Sequence, residues 1–223
     1  MPATLAPDRL FRPTVVVAAY PFAAEVAVGG LLLALAEASV AATIVVLAPR
    51  LLAGPDQPDD SSERAFVGLT ESAAAFGAGS EVLDFSQQTI RDDPVAAAQL
   101  GQILRRRRPG NLITHPGRSP NPDCSAAYAI AWRAAVLARS GGGLIAGAPL
   151  EEALQIWSFG DAESGLPRVR FPTGGFADRK YGLLGRLDCG IGDPLPDPEQ
   201  LARDRDHNDD GPAEELFLVG QPW

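Results

Sequence analysis

Thr14 to Ala19 reads TVVVAA, a run that is apolar or β-branched at every position. A strand with one side in water alternates polar and apolar residues; a strand without that alternation needs cover on both faces, as inside a parallel sheet. Ala24 to Ala38 follows, rich in Ala and Leu, and reads as a helix. Ala42 to Leu47 (ATIVVL) repeats the first pattern. Ser61 or Ser62 then caps a helix running to Phe76, with Gly77 as its stop. Glu81 to Phe85 is a short third strand, and Asp92 and Pro94 open the next helix in cap and first-turn order. That helix ends at Arg105 to Arg108; Asn111 to Thr114 (NLIT) is a fourth strand and Asp123 to Ala138 a further helix. Such alternation predicts a Rossmann-like parallel sheet with helices on both faces. Ligands of these sheets sit beyond the carboxyl ends of the strands, which points to the loops Tyr20 to Ala24 and His115 to Cys124.

The pattern changes after Ser140. Gly141-Gly142-Gly143 breaks the helix, Gln155 to Phe159 (QIWSF) reads as a strand, and Asp178 to Leu187 as a helical segment. Asp188 to Gly211 is Pro-, Gly- and Asp-rich, as in an irregular surface lobe, and Glu214 to Val219 is a last short element. The whole chain, 1–223, is expected to form one domain: a parallel α/β core over 13–140 and a C-terminal extension over 141–223 that completes the site. At 223 residues, 46% of them hydrophobic, it is long enough to bury a core.

A formal net charge of -9 argues against a nucleic-acid binder, which shows a basic face. The one basic run, Arg105 to Arg108, closes a helical pattern just before Pro109-Gly110, where cations in water complement the negative helix end. Two cysteines, Cys124 and Cys189, make no disulfide framework and fit a reducing compartment. The first residues lack the charged start and apolar run of a signal peptide, and the longest apolar stretch, Val26 to Ala36, is too short to span a bilayer. A cytoplasmic protein is expected, without nucleic-acid or membrane partners, and the Ala, Gly, Pro and Arg richness suggests a bacterial genome of high GC content.

The loop after the first strand reads Tyr20-Pro21-Phe22-Ala23-Ala24-Glu25-Val26-Ala27-Val28-Gly29-Gly30, and the stretch Arg105 to Pro109 followed by Asn111 to His115 leads to Asn121-Pro122-Asp123-Cys124. Proline, double glycine and strand–loop–helix context resemble the HPDDE-x-L-G-x-G-G motif of the LmbE-like (PIG-L) zinc deacetylases. Asn121 to Cys124 stands where that family has HPDH, and Arg105 to His115 resembles its RRxRPDVVxTH stretch. Glu71 to Gly77 is loosely similar to a third family pattern, and Gln155 to Asp161 to the strand that follows. Lys180 sits where the family has a lysine, although Asp188-Cys189 does not reproduce the tail after it.

The resemblance implies a zinc ion held by two histidines and an aspartate, with a position left open for water. At the matching positions this chain has Tyr20 and Cys124 for the histidines and Ala23 for the aspartate. The carboxylate that would deprotonate the water falls at Phe22, and the histidine that would assist the leaving amine falls at Asn121. Without metal or base, water keeps a pKa near ~15.7 and is a feeble nucleophile. The ancestral deacetylation is therefore expected to be absent, and no cofactor is expected.

The residues that remain have structural and chemical readings. Asp123 can serve the N-terminal dipole of its helix, His115 can hydrogen-bond a neighbouring loop, and Cys124 can be a small buried side chain. In the chemical reading Cys124 is a thiol activated by the helix N-terminus with His115 as its base, and Asp123 and His115 can form an acid–base pair. Tyr20 and Phe22 form an aromatic floor or a plug; with Asn121, Arg118 and Gly29 they make up the expected ligand-facing set. Gly29-Gly30 alone carries no phosphate-loop claim, and Asp206 to Asp210 (DHNDD), with His207, lacks the full calcium-loop pattern.

Three functions stay open. The first is a pseudoenzyme that binds a small polar or sugar-like ligand without turnover. The second is a metal-free enzyme of a biosynthetic pathway using Cys124, His115 and Asp123. The third is a zinc deacetylase with ligands rebuilt from the same three residues. A homo-oligomer is compatible with each.

Overall fold

The computed structural model describes residues 4–49, 60–83, 85, 89–141, 143–159, 166–186 and 213–220. The expected surface lobe over Asp188 to Gly211, with Cys189 and His207, lies outside them. Among the described residues seven strands form one sheet: β1 (Thr14–Ala18), β2 (Ala42–Val46), β3 (Gly79–Val82), β4 (Asn111–Thr114), β5 (Gln155–Phe159), β6 (Arg168–Pro172) and β7 (Ala213–Gly220). Their order across the sheet is β3-β2-β1-β4-β5-β7-β6. The first five run parallel, and β7 pairs antiparallel with both β5 and β6. The expected parallel sheet is thus present and extended by two antiparallel strands. Residues beyond 141 continue the sheet of the core.

The helices are α1 (Ala23–Glu37), α2 (Asp60–Ala75), α3 (Pro94–Arg107), α4 (Pro122–Arg139) and α5 (Ala177–Leu184). β1 is buried throughout and divides its side chains between two cores. Val16 and Ala18 face the apolar cluster that holds residues of α1, α2 and α5. Val15, Val17 and Ala19 face the one built by α3 and α4. Both faces are covered, which is why the run TVVVAA has no polar alternation. Among the described residues no helix is long and apolar enough to cross a membrane.

Several expectations shift. β3 starts at Gly79 and ends at Val82, earlier than read, because only that stretch pairs with β2. α2 begins at Asp60, so Ser61 and Ser62 lie within its first turn and neither precedes it as a cap. The cap of α3 is Asp93, whose carboxylate accepts the Val95 N–H at 2.8 Å, while Asp92 is engaged by Arg133. β6 was not visible in the sequence: its inward Val169 and Phe171 alternate with half-buried arginines in too short a run.

The basic run stands at the end of α3 with Arg106, Arg107 and Arg108 exposed, as read, and Arg105 departs from that reading. It is buried, and its guanidinium donates to the carbonyls of Leu137, Ala138, Ser140, Ile145 and Gly147 at 2.6–3.2 Å. It closes the C-terminal end of α4, a different helix, and ties down the chain that follows. Arg106 and Arg107 reach Glu81 at the end of β3, at 2.6 and 3.0 Å.

Candidate functional site

The chain turns back on itself between β1 and β4. After β1 it builds outward through β2 and β3, then returns to place β4 on the other side of β1. At such a reversal the loops leaving the two central strands diverge and open a crevice at the carboxyl edge of the sheet. Tyr20 and Phe22 leave β1 there; His115 and Asn121 leave β4, with Asp123 and Cys124 in the first turn of α4.

The two loops meet at the Tyr20 hydroxyl. It lies 2.8 Å from Asp123 Oδ2 and 3.0 Å from Asn121 Nδ2. A phenol has one proton, so the hydroxyl donates to the carboxylate and accepts from the Asn121 amide. Asn121 also caps α4, its Oδ1 accepting the Asp123 N–H at 3.0 Å. Burial, and after it the hydrogen bond to and the charge of Asp123, push the Tyr20 hydroxyl up to about 12; the Asn121 hydrogen bond acts the other way. Tyr20 is thus a neutral phenol at physiological pH.

His115 is turned to a different partner. Its Nε2 accepts the backbone N–H of Ala19 at 2.9 Å, which puts the ring proton on Nδ1. The ring packs edge-on to Phe159 with centroids 4.7 Å apart, and burial holds its pKa down at about 4. The histidine is a neutral strut between the ends of β1 and β4. Cys124 is half-buried, and burial raises its thiol pKa; a Ser119 hydrogen bond opposes this, and the charge of Asp123 adds to it. Burial thus acts against the activation expected of the helix N-terminus.

Phe22 is 4% exposed and takes φ 62°, ψ -4°, a left-handed conformation that a side chain with a Cβ adopts at a cost of about 1 kcal/mol. The Val26 N–H donates to its carbonyl at 3.0 Å, which starts α1. Arg118 is exposed on the loop before Asn121.

Gly29, expected in the ligand-facing set, is instead a packing residue. A Cβ there would sit 2.7 Å from the Phe76 ring, and one at Gly30 would sit 2.5 Å from Thr173 Cγ2. At Val28 α1 is kinked, with φ -131°. Just past it the N–H groups of Gly30 and Leu31 donate to the Glu214 carboxylate, at 2.6 and 2.9 Å. Lys180 Nζ lies 2.8 Å from the same carboxylate. The role of Glu214 was missed in the sequence, where nothing local links it to the double glycine of α1.

Glu25, also in the first turn of α1, is 1% exposed. Ser72 donates to its Oε1 at 2.8 Å, its Oε2 has no partner, and burial raises its pKa. Among the described residues no group of three or more His, Cys, Asp or Glu side chains is placed to hold a metal ion. At the β1–β4 crevice Ala23 has no donor atom, the Tyr20 phenol keeps its proton, and His115 Nε2 is spent on a backbone N–H. These side chains do not fit a zinc site of two histidines and an aspartate.

No protein-family model matches the chain, and no curated protein matches it in sequence. Solved structures do match it. A conserved protein from Thermus thermophilus superposes with a TM-score of 0.75 at 21% identity, over 95% of this chain and 96% of that one. A 4-carboxy-2-hydroxymuconate hydratase from Pseudomonas putida gives 0.72 at 21% identity, over 93% and 95%. An N,N'-diacetylchitobiose deacetylase from Pyrococcus horikoshii gives 0.73 at 13% identity, over 93% and 84%. At these identities the likeness is one of fold, and it extends along nearly the whole chain.

Proposed function

We propose that this chain, which has the fold of the LmbE-like deacetylases, is a metal-free, non-hydrolytic member of that structural group that binds a small polar or sugar-like ligand in the β1–β4 crevice. The observation that carries the reading is the Tyr20 hydroxyl, 2.8 Å from Asp123 and 3.0 Å from Asn121. Protein hydrogen bonds join the two loops at the positions where the resemblance implies a metal-ligating histidine, at Tyr20, and the histidine that assists the leaving amine, at Asn121. The same fold serves a hydratase and deacetylases among its structural neighbours, so the backbone alone does not commit the chain to one reaction.

A crevice with this lining suits a neutral polar molecule. The Tyr20 hydroxyl, the Asn121 amide and the exposed Arg118 offer donors and acceptors on the two loops. The metal-free enzyme with Cys124 as nucleophile has less support, because nucleophilic attack needs the thiolate and burial raises the Cys124 pKa.

The test is zinc per chain, by mass spectrometry, on folded protein purified without chelator and with zinc supplied. A ratio near zero, together with no acetate released from acetylated amino sugars, is the expected result. A ratio near one that disappears in Cys124→Ser would overturn the proposal and restore a deacetylase with rebuilt ligands. Thiol alkylation followed against pH separates the remaining alternative: a Cys124 that reacts as a thiolate well below pH ~8.5 would favour the metal-free enzyme.

A further inference from the structure

The outward face of α4 carries a second concavity, of about 460 Å³, lined by Asp92, Tyr128, Ala129, Trp132, Arg133 and Val136. Tyr128, Trp132 and Val136 are four residues apart and so share one side of the helix. The rings of Tyr128 and Trp132 are near-parallel, with planes 26° apart and centroids separated by 6.3 Å. Each lies against a glycine: a Cβ at Gly117 would stand 2.9 Å from the Tyr128 ring, and one at Gly220 would stand 3.1 Å from Trp132. Main chain backs both rings, which holds them in place before any ligand arrives, and both stay only half-buried.

At the edge of this aromatic floor Arg133 grips Asp92 through two hydrogen bonds, of 3.1 and 2.5 Å. A guanidinium has five N–H donors and a carboxylate about four lone-pair directions, so the pair keeps donors and acceptors side by side after binding itself. Taken together the two charges cancel. A charged ligand would find its counterpart already matched, and a wholly apolar one would strip water from the ion pair without replacing it. A molecule with flat C–H faces, a rim of hydroxyls and no net charge satisfies both parts. The volume is within the range of small-molecule pockets.

We propose that this groove binds the pyranose ring of a neutral saccharide, with its C–H face on Tyr128 and Trp132 and vicinal hydroxyls on the Arg133–Asp92 pair. The site goes beyond the crevice ligand proposed above: none of Tyr20, Asn121 or Asp123 lines it.

The experiment titrates the full chain with cellohexaose, maltohexaose and chitohexaose, following Trp fluorescence and calorimetric heat. Saturable binding of at least one is expected, weakened about tenfold or more in Trp132→Ala by loss of ring stacking. Arg133→Gln, at an exposed position that folding tolerates, is expected to weaken it several-fold, and Arg179→Ala on the distant α5 to leave it unchanged. The proposal is overturned if no saccharide binds, or if binding survives both groove variants. Sedimentation that finds a wild-type dimer dissociated by Trp132→Ala would overturn it too, by placing a second copy of the chain on this face.

Discussion

Lys180 Nζ lies 2.8 Å from Oε1 of Glu214, and both side chains are buried. The pair is held inside the fold because the carboxylate has a second task, closing the interruption in α1 by accepting the Gly30 and Leu31 N–H groups. A buried ion pair often contributes little net stability, but removing one partner leaves an uncompensated charge. Lys180→Met is therefore expected to cost about 3 to 5 kcal/mol in chemical denaturation. In the double variant Lys180→Met, Glu214→Gln the loss should be smaller than the sum of the single losses, which a double-mutant cycle reads directly. Additive losses would mean that the two residues act separately.

Tyr20→Phe removes the hydroxyl that joins the β1 loop to the start of α4. Asp123 Oδ2 loses a donor and Asn121 Nδ2 an acceptor, while the ring is retained. A loss of about 1 to 2 kcal/mol is expected in thermal or urea unfolding. If stability is unchanged, water replaces the hydroxyl and the link is not a structural tie.

His115 sets an acid limit. Its pKa is lowered from 6.5 to about 4 by burial, so between those values the unfolded chain binds a proton that the folded chain refuses. Stability should fall as pH drops through this window, by up to about 3 kcal/mol from this group, and show no contribution from it above the window. His115→Gln keeps an acceptor for the Ala19 N–H and does not titrate, so the difference between variant and wild-type unfolding curves isolates the effect. Equal pH dependence in the two proteins would show that His115 does not bear the acid response.

Arg105→Lys tests whether the buried guanidinium is needed for its geometry or only its charge. Lysine keeps the charge but offers three donors from one point, against five carbonyl contacts spread over residues 137–147. A loss of about 2 kcal/mol is expected, with faster amide exchange over the end of α4 and the residues after it. Unaltered exchange there would mean that α4 ends without help from Arg105.

Much of this molecule could be read from its residues in order. Continuous apolar runs, cap residues and glycine stops are local signals: a strand buried on both faces must lack alternation, and Gly77, at φ 76°, stops α2 because its neighbours cannot take that conformation cheaply. The order of those elements was enough to predict the sheet and to point at the two loops beyond β1 and β4. The proximity of Tyr20, Asn121 and Asp123 follows from that order too, since parallel strands adjacent in the sheet end at the same edge.

Which atoms those side chains face was decided only in three dimensions. His115 was a possible base in sequence; the fold spends its Nε2 on the Ala19 N–H, because the ends of β1 and β4 come close enough for one imidazole to bridge them. Arg105 looked like part of a solvated helix end and became the clasp of another helix, since α3 packs beside α4. Glu214 is 184 residues from Gly30, and no local pattern connects them. Periodicity reports what an element must bury. Hydrogen-bond partners and pKa values depend on which elements then meet, and that is set by packing over the whole chain.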